Sequence, residues 1–291
     1  MPSRCATRFS SVAAGRIKEV LDTEISICDP EKAENFDADK RGEIEFKNVS
    51  FRYPGAEEDV LHNLNFTAEA GKTTAFIGST GSGKSTIVNL VPRFFDVTKG
   101  EILVDGVNIK HVSQKALRDK IGYVPQKGFL FSGTIATNLR YAKEDASEED
   151  LKAASEIAQA MEFIDNKLEG FDTEIAQGGT NVSGGQRQRL SIARALVKKP
   201  EIFIFDDTFS ALDFKTDAKL RKALNALCEE TRSTVLMVAQ RISSIMHADR
   251  IVVLDKGAIV GIGTHKELME TCDVYKEIAY SQLSKEELEN E

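Results

Sequence analysis

Gly78-Ser79-Thr80-Gly81-Ser82-Gly83-Lys84-Ser85-Thr86 lies between an apolar run, Ala75-Phe76-Ile77, and a helical pattern carrying Ile87, Val88, Leu90 and Val91. The order is strand, glycine-rich loop, helix. Its spacing, Gly, four residues, Gly-Lys-Ser, is that of a phosphate-binding loop: the glycines let backbone N–H groups converge on phosphate oxygens, and the helix N-terminus adds a partial positive charge. On that reading Ser79, Thr80, Gly81, Ser82, Gly83 and Thr86 line the cradle, Lys84 reaches the β- and γ-phosphates, and Ser85 offers its hydroxyl to Mg²⁺.

Outward from the loop, other apolar runs end in polar residues suited to the same chemistry. Ile202-Phe203-Ile204-Phe205 leads into Asp206-Asp207, which reads as a buried parallel strand delivering two carboxylates to its C-terminal edge. Asp206 suits a contact to Mg²⁺, often through water, and Asp207 could orient or deprotonate an attacking water. Thr234 to Ala239 is a further buried strand, ending at Gln240. Ile121 to Val124 is a short one followed by Pro125-Gln126. Gln126 stands on the edge where ligands bind in α/β sheets, and its position leaves open a contact to metal or water against an ordinary turn-capping amide. Strands alternating with helices predict an α/β fold with a mainly parallel central sheet.

The flanks have a different character. Alternation through Ile44, Phe46, Val49, Phe51 and Tyr53 predicts antiparallel strands, as does a strand and turn over Gly100 to Val107. Arg250 to Gly263 alternates around Lys256-Gly257, a hairpin signal. Tyr53 is open between stacking on a purine and serving as an ordinary sheet residue. Ser147 to Leu168 reads as helical, part of a helical subdomain over about residues 127–199. It leads to Ser183-Gly184-Gly185-Gln186 and a long helix stopped by Pro200. That helix start is open between a plain capping box and a second anion cradle. At the N-terminus, Phe9 to Leu21 reads as a helix without a core of its own, residues 22–41 as a polar linker, and residues 282–291 as an acidic tail.

Composition narrows the function classes. The chain has 291 residues, 41% hydrophobic and 29% charged, so it is globular and long enough for a sizeable core. A net charge of −8 argues against nucleic acid as the primary partner. Cys5, Cys28, Cys228 and Cys272 are too scattered for metal spacing or a disulfide framework, which points to a reducing compartment. No apolar run approaches the roughly 20 residues of a membrane span, so the chain as it stands is expected to be soluble and cytosolic.

With Gly78 to Ser85, Gln126, Ser183-Gly184-Gly185-Gln186, Asp206 and Ser210 to Asp213 in that order, the chain resembles the nucleotide-binding domain of ABC transporters over about residues 42–281. The nearest group looks like multidrug or lipid exporters with a transmembrane domain on the same polypeptide. The resemblance implies a P-loop NTPase core of the RecA-like kind, with an antiparallel β subdomain and an α-helical subdomain. It also implies ATP and Mg²⁺ as ligands, the metal on Ser85, Gln126 and Asp206, and a place on the cytoplasmic face of the membrane. Tyr53 would stack on adenine, Gln126 would lie in the loop facing the membrane domain, and Ser183 to Gln186 would form the signature motif. Phe9 to Leu21 would be the tail of the last transmembrane helix. Two such domains would pair head to tail, each nucleotide lying between one chain's Lys84 loop and the other chain's Ser183 to Gln186.

Two positions depart from that pattern. Asp207 stands where the family usually has Glu, and Gln240 where it usually has His. Asp is shorter by one methylene, and a misplacement of about 1 Å can cost on the order of 10²-fold in rate. Gln keeps a donor but carries no positive charge. The expectation is ATP binding with slow hydrolysis at this chain's own site, while its signature motif completes the site of a non-identical partner. An active homodimer is the alternative. A chromosome or repair ATPase is disfavoured by the acidic charge and the lack of a long coiled-coil insertion, and a regulatory module that never hydrolyses is the remaining reading.

Overall fold

The computed structural model describes residues 14–23, 25–37 and 40–282. In chain order the elements are α1 (residues 14–21), β1 (Ile44–Phe51), β2 (Leu61–Ala68), β3 (Thr73–Gly78), α2 (Lys84–Leu90), β4 (Lys99–Val104), β5 (Val107–Asn108), α3 (Gln114–Asp119) and β6 (Ile121–Val124). A more helical stretch follows: β7 (Gly133–Thr134), α4 (Ile135–Arg140), α5 (Glu148–Ile157), α6 (Met161–Asp165), β8 (Glu174–Ile175) and α7 (Gly184–Val197). The chain then returns to the centre with β9 (Ile202–Asp206), α8 (Phe214–Thr231), β10 (Thr234–Val238), β11 (Arg250–Asp255), β12 (Ala258–Gly263), α9 (His265–Thr271) and α10 (Asp273–Gln282).

The central sheet has the order β12-β11-β3-β10-β9-β6, all parallel except the edge strand β12. Its inner strands are apolar through their middles and buried there, as strands covered on both faces are. Strand pleating divides them: Phe76, Ile204 and Leu236 face one core, while Ile77, Phe205 and Met237 face the other. The first core lies between this sheet, α2 and an antiparallel sheet of order β2-β1-β4-β5, where Phe46 stacks on Phe66 at 4.4 Å. The second gathers α4 to α8 and the C-terminal helices. The fold is thus α/β, with parallel centre, antiparallel flank and helical flank as expected.

Some local features differ from the sequence pattern. The helical run after Ser147 breaks between α5 and α6, where Gln159 takes a left-handed φ of 55° and Ala160 donates back to Ser155 O at 2.7 Å. Periodicity hides the break because Ile157 and Met161 both pack against the same core. Residues 25–37, polar enough to read as a linker, are tied to the body: Gln114 donates from its backbone to Asp29 Oδ1 at 2.9 Å and from its side chain to Ile27 O at 3.3 Å, and Arg93 donates to Cys28 O at 3.2 Å. Helix α1 presents Ile17, Val20 and Leu21 to solvent; Phe9 and Val12 of the same expected face lie outside the described residues. No helix among the described residues is long and apolar enough to cross a membrane.

Candidate active site at the edge of the parallel sheet

The C-terminal ends of β3, β6, β9 and β10 converge, because neighbouring strands stay in register up to Val124, Asp206 and Val238. Whatever residue follows each strand therefore meets the others at one edge, the edge where α/β sheets bind ligands. From β3 comes the glycine loop. Gly78 cannot carry a side chain, since a Cβ there would fall 2.1 Å from Leu254 O on the adjacent strand. Gly83, at φ 97°, turns the chain into α2 and offers no side chain as a cap. The helix's first bond runs from Ile87 N to Gly83 O at 3.0 Å, so the amides of Lys84, Ser85 and Thr86 find no acceptor within α2.

Lys84 folds over its own loop, donating to Ser79 O at 2.7 Å, Gly78 O at 2.9 Å and Ser82 Oγ at 3.3 Å. Burial holds its pKa below the ordinary lysine value, partly offset by the carboxylates of Asp207 and Asp206. Ser85 Oγ donates to Asp206 Oδ1 at 2.7 Å, which sets a hydroxyl and a carboxylate side by side. Asp206 is buried, and that burial raises its carboxyl above the usual range; Ser85 counters the shift and Asp207 adds to it.

Asp207 lies at the centre of a small amide cluster. Its Oδ2 accepts from Gln126 Nε2 at 2.9 Å and from Gln240 Nε2 at 2.5 Å. Its backbone is left-handed, φ 46°, and is held by Val238 O and the Ser210 hydroxyl. Burial raises its carboxyl, opposed by Gln126, Ser210 and Gln240 and by the charge of Lys84. Sequence reading singled out Asp207, Gln126 and Gln240 from three separate strand ends, and the structure brings all three onto one oxygen.

The remaining candidates fall in two places. Tyr53, just past β1, donates to or accepts from Thr86 Oγ1 at 3.0 Å and meets Phe51 and Phe95 edge-on, so it lies beside the loop's exit. Ser183 caps α7 in a reciprocal box: its Oγ accepts Gln186 N at 3.2 Å, and Gln186 Oε1 accepts Ser183 N at 3.0 Å. Gly184 and Gly185 form the first turn, with Gly185 facing Ala211 O. Among the described residues no hydrogen bond joins Ser183 to Gln186 with the Lys84 loop.

Two residues that the sequence pattern did not single out hold the site together. Gln188 of α7, 2% exposed, accepts Gly128 N at 2.7 Å and donates to Pro125 O at 3.2 Å, bracketing the Gln126 loop. Tyr123 of β6 donates to Asn89 Oδ1 of α2 at 2.8 Å, and burial beside Asp206 raises its phenol. The only sequence-level sign of either is a polar residue at a position whose neighbours are core.

The donor set fits a nucleoside triphosphate with Mg²⁺. Free first-turn amides and an ammonium suit polyanionic phosphate, and the adjoining Ser85 hydroxyl and Asp206 carboxylate are the hard oxygen donors that Mg²⁺ takes.

Comparison with known proteins agrees. The family profile described as ABC transporter matches residues 61–210. An ABC transporter ATP-binding protein of Mycobacterium tuberculosis is 45% identical over 276 residues, 94% of this chain and 47% of that protein. An ATP-dependent lipid A-core flippase of Haemophilus influenzae is 47% identical over 245 residues, 84% of this chain and 41% of its own length. A solved bacterial Atm1-family ABC exporter with ATP bound superposes with a TM-score of 0.88 at 36% identity, over 96% of this chain and 48% of that one. The chain spans about half the length of the curated relatives it matches.

Proposed function

The chain belongs to the ABC transporter family as an ATP-binding domain, and on that premise we propose that it powers export across a membrane by binding and hydrolysing ATP, with weak hydrolysis at its own site. Its substrate-translocating part would be a transmembrane domain on the same polypeptide, placing this domain at the cytoplasmic face. The resemblance to a lipid A-core flippase and to an Atm1-family exporter supports the exporter reading.

The observation that carries the weak-site reading is the double hydrogen bond to Asp207 Oδ2. Lys84 and the amides of the loop would hold the phosphates, and Ser85 and Asp206 would hold the metal. Mg²⁺, when bound, neutralises charge on the phosphates. Asp207 would orient water for attack on the γ-phosphate. Two amides on one oxygen draw charge from that carboxylate, so Asp207 would be a hindered base as well as a short one. Gln240 contributes a neutral donor only. The Ser183 helix start, which makes no hydrogen bond to the Lys84 loop among the described residues, would serve the nucleotide of a second, non-identical ABC domain.

A specific observation favours the second reading, an active homodimer: burial raises the Asp207 carboxyl, which strengthens it as a base. Steady-state phosphate release from the reconstituted pair separates the two. Ser183→Arg should suppress turnover, because it sets a bulky cation at the helix start offered to the partner, while Asp207→Asn should change it little. Equal loss in both variants makes Asp207 a working base and removes the weak-site reading.

A further inference from the structure

We infer that Gln282, the last residue of α10, is a positioning residue that aims Gln240 at Asp207. Its carboxamide straddles Arg241: the side-chain oxygen accepts Ile242 N–H at 2.8 Å, and the side-chain nitrogen donates to Gln240 C=O at 2.8 Å. One planar group thus satisfies a donor and an acceptor on the same short piece of backbone, fixing its orientation as well as its place. The opposite amide orientation would set N–H against N–H and oxygen against oxygen, so the backbone dictates which way Gln282 points.

Helix α10 is a firm base for this clamp. Tyr275 and Ala279 are fully buried, and with Gln282 they recur at helical spacing on one face. The Tyr275 hydroxyl is hydrogen-bonded to His265 Nδ1 of α9 at 2.7 Å. The clamped segment in turn carries the Gln240 side chain, whose Nε2 donates to Asp207 Oδ2 at 2.5 Å. A path of direct contacts therefore runs from the C-terminal helix to the carboxylate beside the phosphate loop. Among the described residues nothing else bonds to the Gln240 carbonyl or the Ile242 amide.

This inference deepens the reading of Asp207 and Gln240 as this chain's own weakly hydrolysing site and rests on it; the turnover comparison of Ser183→Arg with Asp207→Asn tests that reading, and the following measurement tests the clamp without using turnover. In the full chain, Gln282→Ala should raise hydrogen exchange at the Ile242 amide about 2- to 10-fold, the worth of one net hydrogen bond. It should also move the side-chain amide resonances of Gln240 toward those of a solvated glutamine, while affinity for a non-hydrolysable ATP analogue with Mg²⁺ stays within about twofold of the parent, since the loop of Lys84 is untouched. Gln282→Glu keeps an acceptor for Ile242 but has no hydrogen for the Gln240 carbonyl. It should restore Ile242 protection and leave the Gln240 resonances shifted. Gln240 resonances unmoved in both folded variants would overturn the proposal, as would a loss of Ile242 protection that Gln282→Glu fails to restore.

Discussion

Replacing Asp207 by Asn should stabilise the folded chain near neutral pH and lose that advantage in acid. Asp207 is 5% exposed, and burial is the largest influence on its carboxyl, raising it above the ordinary 3.8 despite three donors and the Lys84 charge. A carboxyl raised in the folded state binds more protons there than in the unfolded chain. The contribution of this one carboxyl to stability is then greatest below pH 3.8 and is lost as pH rises from 3.8 through the folded value. Each unit of upward shift corresponds to about 1.4 kcal/mol of stability lost by neutral pH. Asn removes the buried charge, accepts the left-handed backbone at φ 46° as readily as Asp, and keeps an oxygen for Gln126 and Gln240. It also relieves Asp206, whose own raised carboxyl is partly due to Asp207. Against this stands the weaker hydrogen bonding of a neutral acceptor, about 1 kcal/mol. For a chain of this size about 1 kcal/mol shifts the melting temperature by roughly 2–4 °C. The assay is thermal unfolding of parent and Asp207→Asn side by side from about pH 4 to 7.5, where the difference in melting temperature should grow with pH in favour of Asn. A difference that moves the other way would mean that the donors outweigh burial, and that Asp207 is a settled carboxylate.

Lys84→Met should weaken binding of ATP with Mg²⁺ by about 1.5–3 kcal/mol, one charge-assisted contact, and titration calorimetry with unchanged affinity would remove the loop's role. Tyr53→Ala should cost about 1–3 kcal/mol of ATP affinity if a purine stacks there, whereas Tyr53→Phe, which loses only the bond to Thr86, should cost less; parent affinities equal for ATP and inorganic triphosphate would exclude stacking. Gln188→Ala strands the Gly128 amide and the Pro125 carbonyl, so it should lower stability by about 1–3 kcal/mol in denaturant titration; a neutral result would show that water replaces the clamp.

How much of this site the sequence reveals depends on whether a residue's role is tied to its own element. Asp206, Asp207, Gln126 and Gln240 stand out because each follows an apolar strand, and parallel strands in register must deliver such residues to a common edge. Ser183 and Gln186 are legible for a local reason: a capping box needs only residues three apart. Gln188 and Gln282 lie within helices, where an isolated glutamine is most simply a solvated side chain. Their partners are 60 and 40 or more positions away, and no periodicity records a bond across that distance. The docking of residues 25–37 escapes for the same reason, since its bonds run from a polar, irregular segment to Gln114 and Arg93, and its one aromatic, Phe36, packs on a core that no local pattern links it to. The two kinds of residue therefore have opposite relations to the chemistry. Those at strand ends present functional groups, and their placement follows from the sheet. Those on helices set how far each group can move, and that depends on tertiary contacts alone. Asp207 makes the distinction concrete: the strand places its carboxylate, burial raises it, and Gln126 and Gln240 oppose that rise from loops whose backbones are bonded to Gln188 and Gln282.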